Sequence, residues 1–517
     1  MSSGYANLTV QIAYSYILYT YMNKPRIHIY YDGECKMCTA FANTVSSNDN
    51  QATLVDAQTA TLTSLKKEDL LYTIHLVEGD GKVRTGPDAV LTAFSRIYSW
   101  LTPLAQLFRL PVFNWFASFV YFYISARRKY LFGGDSSRLF WLFLITNIGL
   151  LAGVILSLPL WESIRSYPTI AVLPSFSFLQ PYTSLLTAFL LASLTLGILL
   201  TKQFRWFALA SAIFLAMLFT LDITRLQPWV WHYLATLLVL SFWLPHSPLR
   251  NTKLLDAARY IVVGIYFWSG LQKINTAFFL ETFPWFTEPY WSHFGITGQY
   301  AVLIIGIFVP FFESAFALGL LTKRFRKISI IGSAIMLLVV MSCLVFGHSW
   351  NTSVWPWNLA IFGMVLILFL GLPDTFGTIL NRTKSNLFAI IAIALIILAP
   401  LGNFFGLTDH YLAWSLYSGH VPTATLIASP QTILAIAPNA RFTPIINSEA
   451  VSVEFTQLST ASMNVVPYPE VWVFESIFET LCQEYKTDTN LLLTIDTRPF
   501  FNSLQIKSKD YTCPPRR

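Results

Sequence analysis

Charge is what this chain of 517 residues has least of: Asp, Glu, Lys and Arg together make up 12% of it, against about 25% in an ordinary soluble domain. So few charges cannot clothe a large protein in water, which excludes a purely soluble assembly of domains. Cysteine is scarce too, at five residues. Cys35-Lys36-Met37-Cys38 has no second Cys-x-x-Cys or Cys-x-x-His nearby, which weighs against zinc and for redox chemistry. The first 22 residues lack a basic start, a clean apolar stretch and a cleavage site, so no secretory signal peptide is expected there. The formal charge of +7 does not read as nucleic-acid binding, because Lys and Arg fall in short clusters between apolar runs, as topology signals do.

Long apolar runs, by contrast, are abundant. Stretches long enough to cross a bilayer as helix recur near 139–160, 183–200, 206–221, 229–244, 255–272, 300–321, 328–346, 354–372 and 386–401. About nine spans are expected. Arg127, Arg128, Lys129 and Arg138 precede the first; Lys202 and Arg205 follow the second. Arg250, Lys253 and Arg259 follow the fourth, Lys323, Arg324, Arg326 and Lys327 the sixth, and Arg382 and Lys384 the eighth. Every basic cluster then falls on one side, which predicts a cytoplasmic N-terminus and, after an odd number of crossings, an extracytoplasmic C-terminus.

The fold class this implies is a multi-domain integral membrane protein in three parts. Residues 1–138 read as a soluble, thioredoxin-like α/β domain, 139–401 as a polytopic α-helical bundle, and 402–517 as a small α+β cap. In the first part, Arg26 to Tyr31 alternates like a strand, Cys38 to Val45 suits a helix, and Ala52 to Asp56 suggests a second strand. Thr73 to Arg84 reads as a hairpin turning through Glu78-Gly79-Asp80-Gly81, and Gly86-Pro87-Asp88 opens another helix. In the cap, strands are expected at Val451 to Phe455, Leu491 to Ile495 and Leu504 to Lys507. Tyr411 to Gly419 could lie on the membrane as an amphipathic piece. Cys482 and Cys513 would face an oxidising compartment, where a structural disulfide persists; the alternative is two unpaired thiols.

Cys35 stands where a helix begins, so the helix dipole and free backbone N–H groups favour its thiolate. Cys38, one turn on, is placed to resolve a mixed disulfide. Asp32 is either a proton acceptor beside Cys35 or a cap of the helix. Asp32, Cys35 and Cys38 form an Asp-x-x-Cys-x-x-Cys motif. With Gly86-Pro87-Asp88-Ala89-Val90 and the closing Ile124 to Gly133, it resembles the DCC family of thiol-disulfide oxidoreductase-like proteins over most of 26–133. The resemblance implies a thioredoxin-like fold and dithiol exchange with a thiol or disulfide protein or a small thiol. No cofactor is required for that exchange.

Charged residues at bilayer depth are costly and are functional candidates by default. Here they are Asp222, Arg225, His232, Lys273 and Glu313, with His348 and Asn351 after the seventh run. A partly desolvated lysine can act as base or nucleophile; interhelical pairing and a satisfied core histidine are the plainer alternatives. Tyr266 to Asn275, which contains Lys273, resembles the active-site lysine tract of the vitamin-K-dependent gamma-carboxylase. Phe219 to Asp222 with His232-Tyr233-Leu234, and Gly347 to Asn351 with His348, are similar to further tracts of that family. Together they resemble the carboxylase-like membrane domain shared with bacterial HTTM proteins, and imply a bacterial inner or plasma membrane. By that resemblance Lys273 is the base toward a reduced quinone and His232 lies near the chemistry, with Asp222, Arg225 and His348 around the cofactor. The longer spacing between Asp222 and His232, and the short cap, depart from the carboxylase.

The expected function is a membrane-bound thiol-disulfide oxidoreductase whose membrane pocket holds a quinone-like or lipid partner. The alternatives are a carboxylase-like enzyme modifying an exported peptide, and a non-enzymatic membrane scaffold. The bilayer itself is the one partner that all three share.

Overall fold

The computed structural model describes residues 25–60, 67–111, most of 113–125, 134–200, 203–244, 247–293, 299–348, 351–446 and 448–513. The chain forms two compact units, one through Ser137 and one from Arg138 onward.

In the first unit, strand β1 (Ile27–Tyr31) buries Ile27 and Ile29 and exposes His28, the period of two that a half-covered sheet imposes. It pairs in parallel with β2 (Ala52–Asp56) and antiparallel with β3 (His75–Glu78), which pairs in turn with β4 (Val83–Thr85). The sheet order is therefore β2-β1-β3-β4. A parallel pair needs a crossover, supplied by the helix Lys36–Asn48. The β3–β4 turn closes at Gly81, whose φ of 85° suits glycine. The helix Gly86–Ile97 packs Ala89 and Ala93 on Ile27, Ile29, Val45, Ile74 and Leu76 to form the core. The alternation of strand, helix and hairpin expected from the sequence is present.

The second unit begins with a helical bundle. Among the described residues, eight helices are long and apolar enough to cross a membrane: Gly134–Leu156, Pro174–Leu199, Phe204–Leu221, Pro248–Leu271, Leu303–Leu321, Arg326–Val345, Thr352–Phe369 and Leu387–Phe405. The protein is a multi-pass membrane protein. The fourth expected run is shorter: Pro228–Leu240 has 13 residues, about 20 Å at 1.5 Å per residue. Lipid-facing stripes are explicit, as on Arg326–Ser342, where Ile328, Ile331, Ile335 and Leu338 recur every three or four residues and stay exposed.

Four arginines from separate helices converge on one end of this bundle. Arg138 donates to the carbonyls of Ile367 (2.5 Å) and Leu370 (2.8 Å), and Arg259 to that of Leu368 (3.3 Å). Arg326 serves the carbonyls of Leu320, Leu321, Leu372 and Asp374. Arg382 binds Asp256 and Asp374. The last carbonyls of a helix have no intrahelical partner and carry negative partial charge, so cations settle there. The opposite end of Gly134–Leu156 carries the C-terminal domain: Asn464 donates to the carbonyl of Leu156 (2.8 Å), and Gln227 to that of Val466 (3.1 Å).

That domain is a five-stranded antiparallel sheet of order β6-β7-β5-β8-β9, built from β5 (Thr423–Ala428), β6 (Thr443–Pro444), β7 (Val451–Glu454), β8 (Leu492–Thr497) and β9 (Lys507–Thr512). The helices Phe455–Met463 and Val471–Glu484 accompany it. Cys482 and Cys513 are joined as a disulfide. Two expectations change. The strand expected at Leu504 to Lys507 starts only at Lys507, and Tyr411 to Gly419, expected as an amphipathic piece on the membrane, is a run of tight turns with Tyr411, Trp414, Ser415 and Ser418 buried in the protein. Positive φ at Trp414 (63°) and Tyr417 (55°) breaks any helical repeat there.

Candidate functional site

Strand β1 ends at Tyr31 and delivers Asp32, Gly33 and Glu34 into a short loop before the helix Lys36–Asn48. Cys35 is the N-cap of that helix, and its sulfur accepts from the backbone N–H of Cys38 at 3.3 Å. A sulfur so placed receives one of the helix's orphan donors together with its dipole, which favours the thiolate over the thiol. Cys35 and Cys38 are paired as a disulfide, their Cα atoms 5.2 Å apart. Cys35 is 9% exposed and Cys38 2%, so Cys35 is the less buried residue of the two.

Asp32 holds the loop rather than the helix. Its Oδ1 accepts from Glu34 N (3.2 Å) and from Gln58 Nε2 (3.0 Å), and its carbonyl accepts from Cys35 N (3.1 Å). Asp56, paired across the sheet with Tyr31, reaches over to accept from Gly33 N (3.0 Å) and Gln58 N (2.9 Å). Thr39 Oγ1 donates to the Gly33 carbonyl at 3.2 Å. Asp56 and Gln58 escaped the sequence reading as parts of the site. The signal was there: a carboxylate closing the strand that must lie parallel to β1 ends up beside the first strand's loop.

In the second unit, a cavity of about 420 Å³ is lined by Ile265, Tyr266, Phe283, Phe286, Phe312, Phe316 and further apolar side chains. Its polar end is Lys273, which donates to Glu313 Oε2 (2.7 Å) and Ser269 Oγ (2.8 Å). Lys273 and Glu313 therefore form one mostly buried ion pair in the wall. Tyr417 also lines the cavity and accepts from Asn351 Nδ2 at 2.9 Å.

His232, Asp222 and Arg225 do not line the cavity. His232 is fully buried; its Nδ1 accepts from Trp357 Nε1 at 2.8 Å, and Trp357 is the side chain that lines the cavity. Asp222 and Arg225 belong to a cluster with Arg165, which the sequence reading missed. Arg165 Nη2 lies 2.5 Å from Asp222 Oδ2, whereas Arg225 Nε is 3.8 Å away and donates instead to the Leu160 carbonyl (3.0 Å). Asp222 also accepts from Ile170 N and from Thr224 Oγ1, so this cluster ties down a loop. The backbone at Cys343–His348 is a π-helical turn; the side chain of His348 lies outside the described residues. Among the described residues, no group of three or more His, Cys, Asp or Glu side chains could hold a metal ion.

Residues 29–134 match the family of DCC1-like thiol-disulfide oxidoreductases. No curated protein and no solved structure matches the chain.

Proposed function

We propose that this protein is a membrane-bound thiol-disulfide oxidoreductase that works through Cys35 and Cys38. The observation that carries the reading is the N-cap position of the less buried cysteine, Cys35, bonded to Cys38 one turn further in. A substrate thiolate attacks Cys35 Sγ, breaking the Cys35–Cys38 bond and forming a mixed disulfide; Cys38 leaves as a thiolate and takes up a proton. A second substrate thiolate then attacks the substrate sulfur of that bond and releases Cys35. Two electrons pass from the substrate dithiol to the protein, and the reverse sequence reduces a disulfide. The first unit is the thioredoxin-like domain, and its side of the membrane is cytoplasmic.

Reduction of insulin disulfides by the full chain in detergent, with dithiothreitol as the electron source, tests the reading. Cys35→Ser is expected to fall to the dithiothreitol background, and Cys38→Ser to accumulate a mixed disulfide at Cys35. Full activity in Cys35→Ser would sink the proposal.

The membrane cavity supports a second element of the reading, a lipid-soluble partner such as a quinone or a lipid in a carboxylase-like bundle. Its apolar wall fits a flat or chain-like hydrocarbon, and Lys273 with Ser269 offers hydrogen bonds to a polar head. A bound quinone would supply two-electron chemistry. Lys273 would hold its head oxygen, Glu313 would keep the ammonium paired, and the aromatic wall would exclude water. The Cys35/Cys38 redox state in cells with and without quinone tests any exchange between the two sites.

A further inference from the structure

The strands β8 and β9 form a hairpin whose sides and tip differ sharply in polarity. Its sides are hydrogen-bonded polar ladders, with Thr494 donating to Asp510 (2.7 Å) and Ser508 to Asp496 (2.6 Å). Its tip, residues 499–506, reads Pro-Phe-Phe-Asn-Ser-Leu-Gln-Ile and contains no charge, while Arg498 precedes it and Lys507 and Lys509 follow. Phe501 is 87% exposed, and Leu504 and Ile506 are each 46% exposed. Phe500 turns inward and meets Phe404, ring centroids 4.7 Å apart, at the end of the spanning helix Leu387–Phe405. There Phe405 and Leu407 are also largely exposed.

We propose that this tip inserts into the bilayer leaflet at the end of the bundle that carries the C-terminal domain. The contact between Phe404 and Phe500 sets the tip against the end of a spanning helix, where Phe405 and Leu407 are exposed as Phe501 is. An uncharged apolar loop followed by Lys507 and Lys509 matches the order of an interface, with hydrocarbon inside and anionic headgroups at the rim. A second copy of the chain would bury the same residues, but Lys507 and Lys509 beside them are complementary to headgroups.

The tip is also held stiffly. Ala277 N donates to Ser503 Oγ (2.7 Å), Ser503 Oγ donates to Asn275 Oδ1 (3.2 Å), and Arg498 pairs with Glu281 (2.6 Å). The Cys482–Cys513 disulfide fastens the far end of β9. Asn275 is two residues beyond Lys273, so the inserted tip braces the chain that leads out of the cavity wall.

The test places a photoreactive benzoylphenylalanine at Phe501, or at Asn490 as a control at the other end of β8, in the full chain. The protein is reconstituted in vesicles of phosphatidylcholine and phosphatidylglycerol and irradiated, and adducts are identified by mass spectrometry. An intact Cys482–Cys513 bond certifies folding, and position 504 serves if the label at 501 disturbs it. Lipid adducts at the tip should exceed those at 490 by about tenfold or more. Equal yields at the two positions, or adducts to peptides of a second copy, would overturn the proposal.

Discussion

Gly33 is dictated by its neighbour's carboxylate rather than by its own backbone angles. A Cβ there would lie 2.2 Å from Asp56 Oδ2, inside any tolerable contact, and Asp56 cannot retreat without releasing Gly33 N and Gln58 N. Gly33→Ala is therefore expected to destabilise the dithiol loop by about 1–3 kcal/mol, the usual cost of overpacking. The readout is a lower urea midpoint for attack of a reductant on the Cys35–Cys38 bond in the full chain. An unchanged midpoint would mean that the carboxylate swings away without loss. The motif residues Cys35 and Cys38 were legible because chemistry restricts their spacing. Asp56 and Gln58 were not, because their role comes from the pairing of β1 with β2, which no local pattern records.

Between helices the same kind of contact sets the cavity. A Cβ on Gly270 would meet Ser314 Oγ at 2.4 Å and the Pro310 carbonyl at 2.6 Å, so Pro248–Leu271 and Gln299–Leu321 approach at backbone distance. That approach brings Lys273 within reach of Glu313, close by on the same helix pair. Gly270→Ala should push the two helices apart and lower bundle stability by about 1–3 kcal/mol, measured as the denaturation midpoint in mixed detergent micelles. Adding Ser314→Ala should restore little, since the Pro310 carbonyl is backbone; full restoration would refute the close-approach argument. Helical runs were readable from hydropathy because lipid demands apolar faces all along a span. Their ends were less so: Pro228 starts a helix that stops at Leu240, although apolar residues continue to Leu244. In the C-terminal domain the alternation of Val451–Glu454 and Leu492–Thr497 marked strands. Leu504 to Ile506 resembled them in composition but stands exposed at a hairpin tip.

At the scale of the molecule, the C-terminal domain is joined to the bundle through a buried polar layer, and that layer contains a histidine held neutral. His420 is 3% exposed; Asn275 Nδ2 lies 3.5 Å from its Nδ1, and its ring lies 5.6 Å from His410 and 5.0 Å from Phe500. Burial, reinforced by the neighbouring His410, pushes its pKa down to about 3 from an ordinary 6.5. The unfolded state thus binds a proton that the folded state refuses, so stability falls as pH drops below about 6.5 and continues to fall toward about 3. One such group gives a slope of at most about 1.4 kcal/mol per pH unit. Asp409 opposes it: burial and nearby Glu470 raise that carboxyl, so it gains a proton earlier in the folded state than in the unfolded one. Glu470 meanwhile accepts from His410 at 2.7 Å and holds the second imidazole in place. Between pH 6.5 and 5 the C-terminal domain of the full chain should become progressively more sensitive to limited proteolysis, while His420→Gln flattens that dependence. If the variant keeps the same pH profile, the acid sensitivity belongs to another group, and the layer under the C-terminal domain is not what loosens.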